Sequence, residues 1–304
     1  MTFDRKTLII PDKTCFEERI IATKGDVIIG DRSLVQFGIK TDGRIFIGEH
    51  VILDGELQAS NDIRIDIFST INGNINSGGN IYLGEKVKIQ GKLSVAGDLD
   101  VGDDVEINEG FEAKGWINIR SPIPMIIYIF IYLIQLLRMG KSEEIEKILQ
   151  ELEQQNESTI PISEFFLFIP NNSIIGTTKS QVDTNVSIGK HCKILGNYTI
   201  QGNVTIGDES VICGTIQATG SITCGKKVKA QGNLIATGEV MIDDNSYVEG
   251  KIQAESIKLS KTATVHGTLL AHHGVNFIDT KTTEKIQRFN HDVDIVDQVE
   301  KILE

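Results

Sequence analysis

The six histidines, of which His291 lies beyond the repeat, are the side chains best suited to acid–base chemistry or metal binding, and the positions of the other five argue against both roles. The chain repeats every 18 residues, and the repeat places His50 and His191 at the same corner position, where we expect exposed residues. His266 precedes a glycine at another corner and should point outward. His272 and His273 are adjacent, and neighbouring side chains of an extended chain face opposite ways. We therefore expect neither a catalytic histidine nor a metal site.

The four cysteines are too widely separated for a zinc site or a disulfide framework, because no pair has the Cys-x-x-Cys spacing. Cys192 and Cys224 fall at positions of the repeat that face inward, so we expect buried core thiols rather than nucleophiles. The other two cysteines are Cys15 and Cys213. This usage fits a reducing cytosol.

Acidic pairs recur at one corner of the repeat, where stacking could bring carboxylates together as a weak cation site. Lysines occur at the same corner, so we expect a solvated edge of mixed charge instead. The glycine-x-glycine spacings come from the repeat and do not open helices, so they predict no phosphate-binding loop and no cofactor. The residues of this corner are Asp103, Asp104, Asp208, Glu209, Asp243 and Asp244 with Lys86, Lys190, Lys226 and Lys227.

The composition is that of a folded, acidic protein. Its 304 residues are 40% hydrophobic and 24% charged, which is enough apolar material for a sizeable core. The net charge of -12 argues against nucleic acid as a partner. The first residues show no apolar run with a small-residue cleavage site, so we expect a cytoplasmic protein, with peripheral attachment at the inner face of the membrane left open.

The stretch from Gly79 to Ala96 contains one whole repeat unit, GNIYLGEKVKIQGKLSVA. Apolar residues occupy positions 3 and 5, 9 and 11, and 15 and 17, and glycine occupies positions 1, 6 and 13. Each apolar pair is a short strand with both side chains on one face. Three such strands make one triangular turn of a β-helix, and stacked turns bury what one turn cannot. We expect the glycines at or near the corners, where positive φ or close packing requires them.

The repeat runs through two parts of the chain and predicts a mainly β fold. We expect two three-sided parallel β-helix (solenoid) blocks, residues 8–120 and 158–280, joined by an α-helical hairpin over 121–157 and followed by a C-terminal helix over 281–304. Both blocks begin with an apolar strand that ends in proline, at residues 8–11 and 167–170. We interpret the chain as an internal duplication.

The segment 122–138 carries no charge before its last residue and is apolar on nearly every face. As a helix, its 16 uncharged residues would span roughly 24 Å, short of the ~30 Å hydrocarbon core that about 20 residues cross. Burial between the blocks, an oligomer contact, membrane-surface attachment and a true span remain open, and we expect self-association or membrane contact. The residues predicted to make this contact are Ile126, Ile127, Tyr128, Phe130, Ile131, Leu133, Ile134 and Leu137.

A resemblance to the bactofilin, or polymer-forming cytoskeletal, family is carried by the stretches GDVIIG, GEHVILDGELQAS, GEKVKIQGKLSVAGDLDVGDDVEI and GNVTIGDESVICGTIQAT. The segment GWINIRSPIPMIIYIFIYLIQLLR also looks like that of divergent two-block members. The resemblance implies a right-handed β-helix without enzymatic activity, a cytoplasmic scaffold that self-assembles through its solenoid ends and associates with membranes. Its partners would be further copies of itself, a membrane surface and protein clients that the sequence does not name. The helix expected after each block could obstruct end-to-end stacking.

A hexapeptide-repeat acyltransferase is the alternative, because its left-handed β-helix also has 18 residues per turn. Such an enzyme needs a catalytic histidine near a subunit cleft, commonly with a loop that interrupts the coils. Neither block contains such a loop, and position 3 is occupied by large residues where the hexapeptide pattern prefers small ones. We therefore expect a structural protein rather than an enzyme.

Overall fold

The computed structural model describes residues 7–120, 163 and 166–278. Their regular structure consists of 38 short β-strands, and no helix occurs within these ranges. The strands form a β-solenoid of about 12 turns with ~18-residue spacing, which confirms the predicted mainly β fold. The predicted hairpin over 121–157 and the predicted C-terminal helix over 281–304 lie outside the described residues.

The strands belong to three sheets. Sheet A contains β1 (Leu8–Ile10), β4 (Asp26–Ile29), β7 (Ile45–Ile47), β10 (Ile63–Ile65), β13 (Ile81–Leu83), β16 (Leu99–Val101), β19 (Ile117–Ile119), β20 (Phe166–Ile169), β23 (Val186–Ile188), β26 (Val204–Ile206), β29 (Ile222–Cys224), β32 (Glu239–Ile242), β35 (Ser256–Ser260) and β38 (Val275–Ile278). Sheet B contains β2 (Cys15–Phe16), β3 (Ile20–Thr23), β6 (Gly38–Thr41), β9 (Leu57–Ala59), β12 (Ile75–Ser77), β15 (Leu93–Val95), β18 (Phe111–Ala113), β24 (Lys193–Leu195), β27 (Val211–Cys213), β30 (Lys229–Ala230), β33 (Tyr247–Val248) and β36 (Thr264–Val265). Sheet C contains β5 (Leu34–Val35), β8 (Ile52–Leu53), β11 (Thr70–Ile71), β14 (Lys88–Ile89), β17 (Glu106–Ile107), β21 (Ile174–Ile175), β22 (Lys179–Val182), β25 (Asn197–Ile200), β28 (Ile216–Ala218), β31 (Leu234–Ala236), β34 (Ile252–Ala254) and β37 (Leu269–Ala271).

Equivalent residues of successive turns lie side by side, as the repeat predicts. Ile45, Ile63, Ile81 and Leu99 pair one after another along sheet A, and all four are fully buried. Residues between the apolar positions, such as Arg64, face outward and are exposed. The apolar columns of the three sheets form one continuous core through the solenoid, because each turn covers the core residues of its neighbours.

Glycine occupies the corners as expected. Close packing between turns is the main reason, and positive φ is not. A Cβ on Gly43 or Gly73 would lie within 3.0 Å of the backbone of the preceding turn, so close packing excludes a side chain there. Positive φ falls instead at position 8 of the turn, on residues such as His50 and Phe68. The expectation of positive φ at the repeat glycines is therefore wrong for most turns, because the tight reversal of the chain lies at position 8.

Corner carboxylates and amides bind the backbone of the next turn, a role that the sequence analysis missed. Oδ1 of Asp62 accepts a hydrogen bond from the N–H of Asn80 at 2.7 Å, and Oδ1 of Asn80 accepts one from the N–H of Asp98 at 2.8 Å. Oδ1 of Asp208 likewise accepts a hydrogen bond from the backbone N–H of Lys226. Its Oδ2 lies 2.8 Å from the ammonium group of Lys190. The corner of Asp208 is thus both a mixed-charge edge and part of a ladder that holds consecutive turns together, and the corner of Asp62 and Asn80 forms a similar ladder.

The solenoid has two halves that run in opposite directions from its centre. Strands are parallel within each half, and one antiparallel step joins the halves in each sheet, between β1 and β20, β2 and β3, and β21 and β22. We call residues 20–120 with 166–175 the first half, and residues 8–16 with 179–278 the second half. The division into domains at 8–120 and 158–280 stays a prediction.

The entry strands of the two halves are exchanged. Strand β1 pairs in parallel with β23 of the second half, and β20 pairs in parallel with β4 of the first half. The inward side chains of both strands, including Leu8 and Leu167, are buried in the common core. Each half is therefore completed by a strand from the other part of the chain.

The buried carboxylate of Asp26, beside the centre, forms an ion pair within the first half and binds the returning chain at Ser163. Asp26 is buried and accepts hydrogen bonds from the guanidinium of Arg44, with Nη2 to Oδ2 at 2.5 Å, and from the N–H of Ser163 at 3.0 Å. Burial raises the pKa of Asp26, but the hydrogen bonds from Arg44 and Ser163 and the charge of Arg44 outweigh it, so this pKa lies below its ordinary value.

Candidate assembly ends

The described solenoid has two free ends, and both consist of C-terminal turns because the halves meet at their N-terminal turns. The first end is formed by β17, β18 and β19, and the second end by β36, β37 and β38. Within the described residues, each of these six strands pairs with a neighbour on one side only. An unpaired strand edge offers N–H and C=O groups to another chain.

The first end exposes apolar residues that belong to the core columns. Ile117 continues the column of Leu99, which is fully buried, yet Ile117 is 48% exposed because no described turn follows it. Ile119 and Phe111 also continue core columns and are exposed. Trp116 lies beside them and is 85% exposed. Together they make the first end a broad apolar surface.

The second end exposes less of its core. Leu269 and Val275, which continue core columns, are half-buried. Phe277 continues the column of the buried Leu259 and is exposed, while the exposed Leu270 stands on the outer face of sheet C. The two ends therefore have the same strand arrangement but different apolar surfaces.

His50, His191 and His266 are surface residues, as predicted, and His291 lies outside the described residues. His50 and His191 are exposed corner residues, each with φ 54. The ring of His50 stacks on the ring of Phe68 with centroids 4.9 Å apart, and Nδ1 of His191 lies 3.2 Å from a carboxylate oxygen of Glu209. His266 is exposed. His50 and His191 thus each have a surface neighbour of their own.

His272 and His273 are exposed at the second end. Nδ1 of His273 lies 3.5 Å from Oε1 of Glu255. Across residues 7–120 and 166–278, no group of three or more histidine, cysteine or acidic side chains is placed to hold a metal ion.

Cys192 and Cys224 are core thiols, as predicted. Both are buried, and burial raises the pKa of Cys192 to about 11 and that of Cys224 to about 12. A thiol with a raised pKa carries little thiolate at neutral pH, and the thiolate is the nucleophile. Cys15 and Cys213 are half-buried and, like the other two, form no disulfide.

The residues predicted for self-association or membrane contact, between 126 and 137, lie outside the described residues. The chain leaves the first end at Arg120, whose guanidinium binds both carboxylate oxygens of Asp100 at 2.6 and 2.5 Å. In the part of the chain that the structure describes, no helix has the length and hydropathy needed to cross a membrane.

The exposed end residues were not singled out from the sequence, although a signal for them exists. The last repeat of the first block begins at Gly115 and contains the apolar pair Ile117 and Ile119, with no further repeat after it. An apolar pair in a final, incomplete turn is the pattern that would have identified this surface.

Residues 168–270 match the family model described as Bactofilin, polymer-forming cytoskeletal. This range runs from β20 into β37 and covers most of the second half. No curated protein and no solved structure has a significant match to the chain. The matched family is structural and cytoskeletal, and a β-solenoid is the fold expected of it. Residues 168–270 are therefore similar to the bactofilin family, and the chain has the β-solenoid fold expected of that family.

Proposed function

We propose that this protein is a non-enzymatic scaffold that assembles with further copies of itself through the first end of its solenoid. The observation that carries the proposal is the exposure of Ile117, whose column is fully buried in the preceding turns. Inside the solenoid, the next turn covers each residue of this column. The last turn of a second copy would provide the same cover at the first end. The match to a polymer-forming family supports this role.

The apolar content of the first end favours a stable contact. Full burial of a large aliphatic or aromatic side chain contributes roughly 1.5–3 kcal/mol. The edges of β17, β18 and β19, which have no partner on one side among the described strands, would add main-chain hydrogen bonds to that burial. The side chains available for burial at the first end are Phe111, Trp116, Ile117 and Ile119.

Two copies joined through their first ends would run in opposite directions. Each first end is the C-terminal side of its half, so a first end can meet another first end only with antiparallel strands. The centre of the molecule already contains this kind of step, since each of the three sheets has one antiparallel pairing there. An antiparallel stacking step is thus compatible with the shape of the solenoid.

Charge substitution at the first end tests the proposal. Ile117→Lys with Ile119→Lys places two charges on side chains that are already exposed, so it should leave the solenoid folded. We expect this double variant to sediment as a single copy at concentrations where the unmodified protein forms larger species. Ile52→Lys is the matched control, because Ile52 is 46% exposed and lies away from both ends. Unchanged assembly of the double variant, or an unmodified protein that never assembles, would refute the proposal.

We also propose that the apolar segment 122–138 provides a second contact, either with another copy or with the inner surface of the cytoplasmic membrane. The run of uncharged residues supports this, because one apolar stripe would suffice for packing against a single surface. Serine at Ile127, Phe130, Ile131 and Ile134 should reduce oligomer size in sedimentation or reduce co-flotation with liposomes. A variant that matches the unmodified protein in both assays would exclude this contact.

A further inference from the structure

The outer face of sheet A differs between the two halves. The outward residues form one row across the sheet, because each is paired with the next strand. The row begins at the first end with the polar Asn118 and Asp100 and is then mainly apolar as far as the centre, whereas in the second half it is mainly polar. The apolar strip consists of Tyr82, Phe46, Ile28, Phe168 and Ile9, interrupted only by Arg64. The corresponding row of the second half is Ser187, Thr205, Thr223, Met241, Lys258 and Asn276.

One member of the strip is buried although it faces outward. Phe168 stands between Ile28 and Ile9 on the outer face and is 4% exposed. Tyr82 stands on the same face and is 37% exposed. Neighbouring strands flank an outward side chain without covering it, so the burial of Phe168 calls for a layer of chain above the sheet.

The chain leaves and rejoins sheet A at the two limits of this face. Residue Arg120 follows β19, the edge strand of sheet A, and its side chain binds Asp100 on the outer face. Ser163 exchanges hydrogen bonds with Asp26 just before the chain enters β20 at the centre of the sheet. The intervening residues must therefore travel from the edge to the centre, about 29 Å across six strand spacings.

We propose that the apolar segment 122–138 docks on the outer face of sheet A, over the apolar strip. Its chemistry matches the strip, and a helix of its 16 uncharged residues would be roughly 24 Å long, close to the distance that the chain has to cover. A segment that is apolar on nearly every face can cover the strip with one stripe and present another stripe to a second copy or to lipid. The inference is therefore independent of the proposed function.

Cross-linking within the full-length chain tests the docking directly. With Cys15→Ser and Cys213→Ser as background, Ile28→Cys is combined with one cysteine in the segment and treated with a short bis-maleimide. Four consecutive positions sample every face of a helix. They are Ile129→Cys, Phe130→Cys, Ile131→Cys and Tyr132→Cys.

We expect at least one of the four to cross-link to position 28 within a single chain, at a yield that does not depend on protein concentration. Met241→Cys is the matched control, because Met241 occupies the same row in the second half and should not cross-link. No intrachain product at position 28 would overturn the proposal. Products of twice the chain mass alone would also overturn it, and would assign the strip to a second copy.

Proteolysis provides a second measurement that needs no cysteine. Chymotrypsin cleaves after the aromatic residues of the segment, and docking should protect them. We expect Phe168→Ser to raise the cleavage rate there at least tenfold, with Met241→Ser unchanged and the β-sheet circular dichroism of both variants retained. Equal cleavage of both variants and the unmodified protein would contradict docking on this face. If Phe168→Ser loses the β-sheet signal, the cross-linking result alone decides whether the segment docks.

Discussion

The two ends of the solenoid, as far as the described residues show them, have the same arrangement of three edge strands but unequal apolar surfaces. At the first end, the core columns finish in exposed Phe111, Ile117 and Ile119, whereas at the second end Leu269 and Val275 remain half-buried. The difference shows that an unpaired edge is not enough to identify an assembly surface. What distinguishes the first end is that three of its core columns finish in large, exposed residues, whereas the second end has one such residue, Phe277.

The largest contrast predicted is between an interior and a terminal member of one column. Ile81→Asp places a carboxylate without a partner in the core and should lower the free energy of unfolding by several kcal/mol. Ile117→Asp, two turns further along the same column, keeps its carboxylate in water and should lower it by less than about 1 kcal/mol. Urea unfolding of both variants under monomeric conditions measures the contrast. Similar losses in the two variants would mean that the first end is covered within the single chain.

A second contrast concerns glycines. A Cβ on Gly43 would clash with the backbone of Gly25, whereas a Cβ on Gly110 near the first end meets nothing within 4 Å. Gly43→Ala should therefore cost about 2–4 kcal/mol through forced separation of two turns. Gly110→Ala should cost about 1 kcal/mol, the penalty of its left-handed φ. Thermal unfolding of both variants checks the order, and a larger loss for Gly110→Ala would contradict it.

The centre of the solenoid should be more sensitive to acid than its ends. The lowered pKa of Asp26 means that its ion pair with Arg44 stabilises the fold above the ordinary value of 3.8, and that this stabilisation is lost as the pH falls through the lower folded value. Asp26→Asn should cost about 2 kcal/mol at neutral pH, because the hydrogen bonds to a charged acceptor are weakened. The difference from the unmodified protein should shrink on acidification below pH 3.8. Denaturant unfolding at a series of pH values measures the difference in free energy of unfolding between the two proteins. A difference that does not change with pH would exclude a stabilising role for the charge of Asp26.

The sequence alone predicts which residues stack in each core column, but it does not predict how the two halves join at the centre. The register of Ile63 on Ile81 follows from the repeat alone, because period and packing require the same pairing. The exchange of entry strands does not follow, since residues 8–11 and 167–170 carry the same pattern and either could complete either half. Which strand joins which half depends on how the halves meet, and a local pattern does not contain that information.

The corners of the solenoid show a second reason why predictions from the sequence were wrong. Positive φ or close packing was expected at the glycines, whereas the structure places positive φ mainly at position 8, on residues such as Arg32 and Phe68. The carboxylate of Asp208 was predicted to lie on a solvated edge, whereas it also accepts a hydrogen bond from the backbone N–H of Lys226 in the next turn. Both features depend on contacts between turns, and these are set by the stacking rather than by the residues of one turn.

Electron microscopy of the purified protein tests the central claim most directly. About 12 turns at ~4.8 Å per turn give a rod of about 58 Å for one copy, and two copies joined through their first ends give about 115 Å. We predict rods of about twice the single-copy length with two-fold symmetry at the join, and single-copy rods for Ile117→Lys with Ile119→Lys. Rods that stay at about 58 Å at every concentration, or that associate side by side, would contradict assembly through the first end.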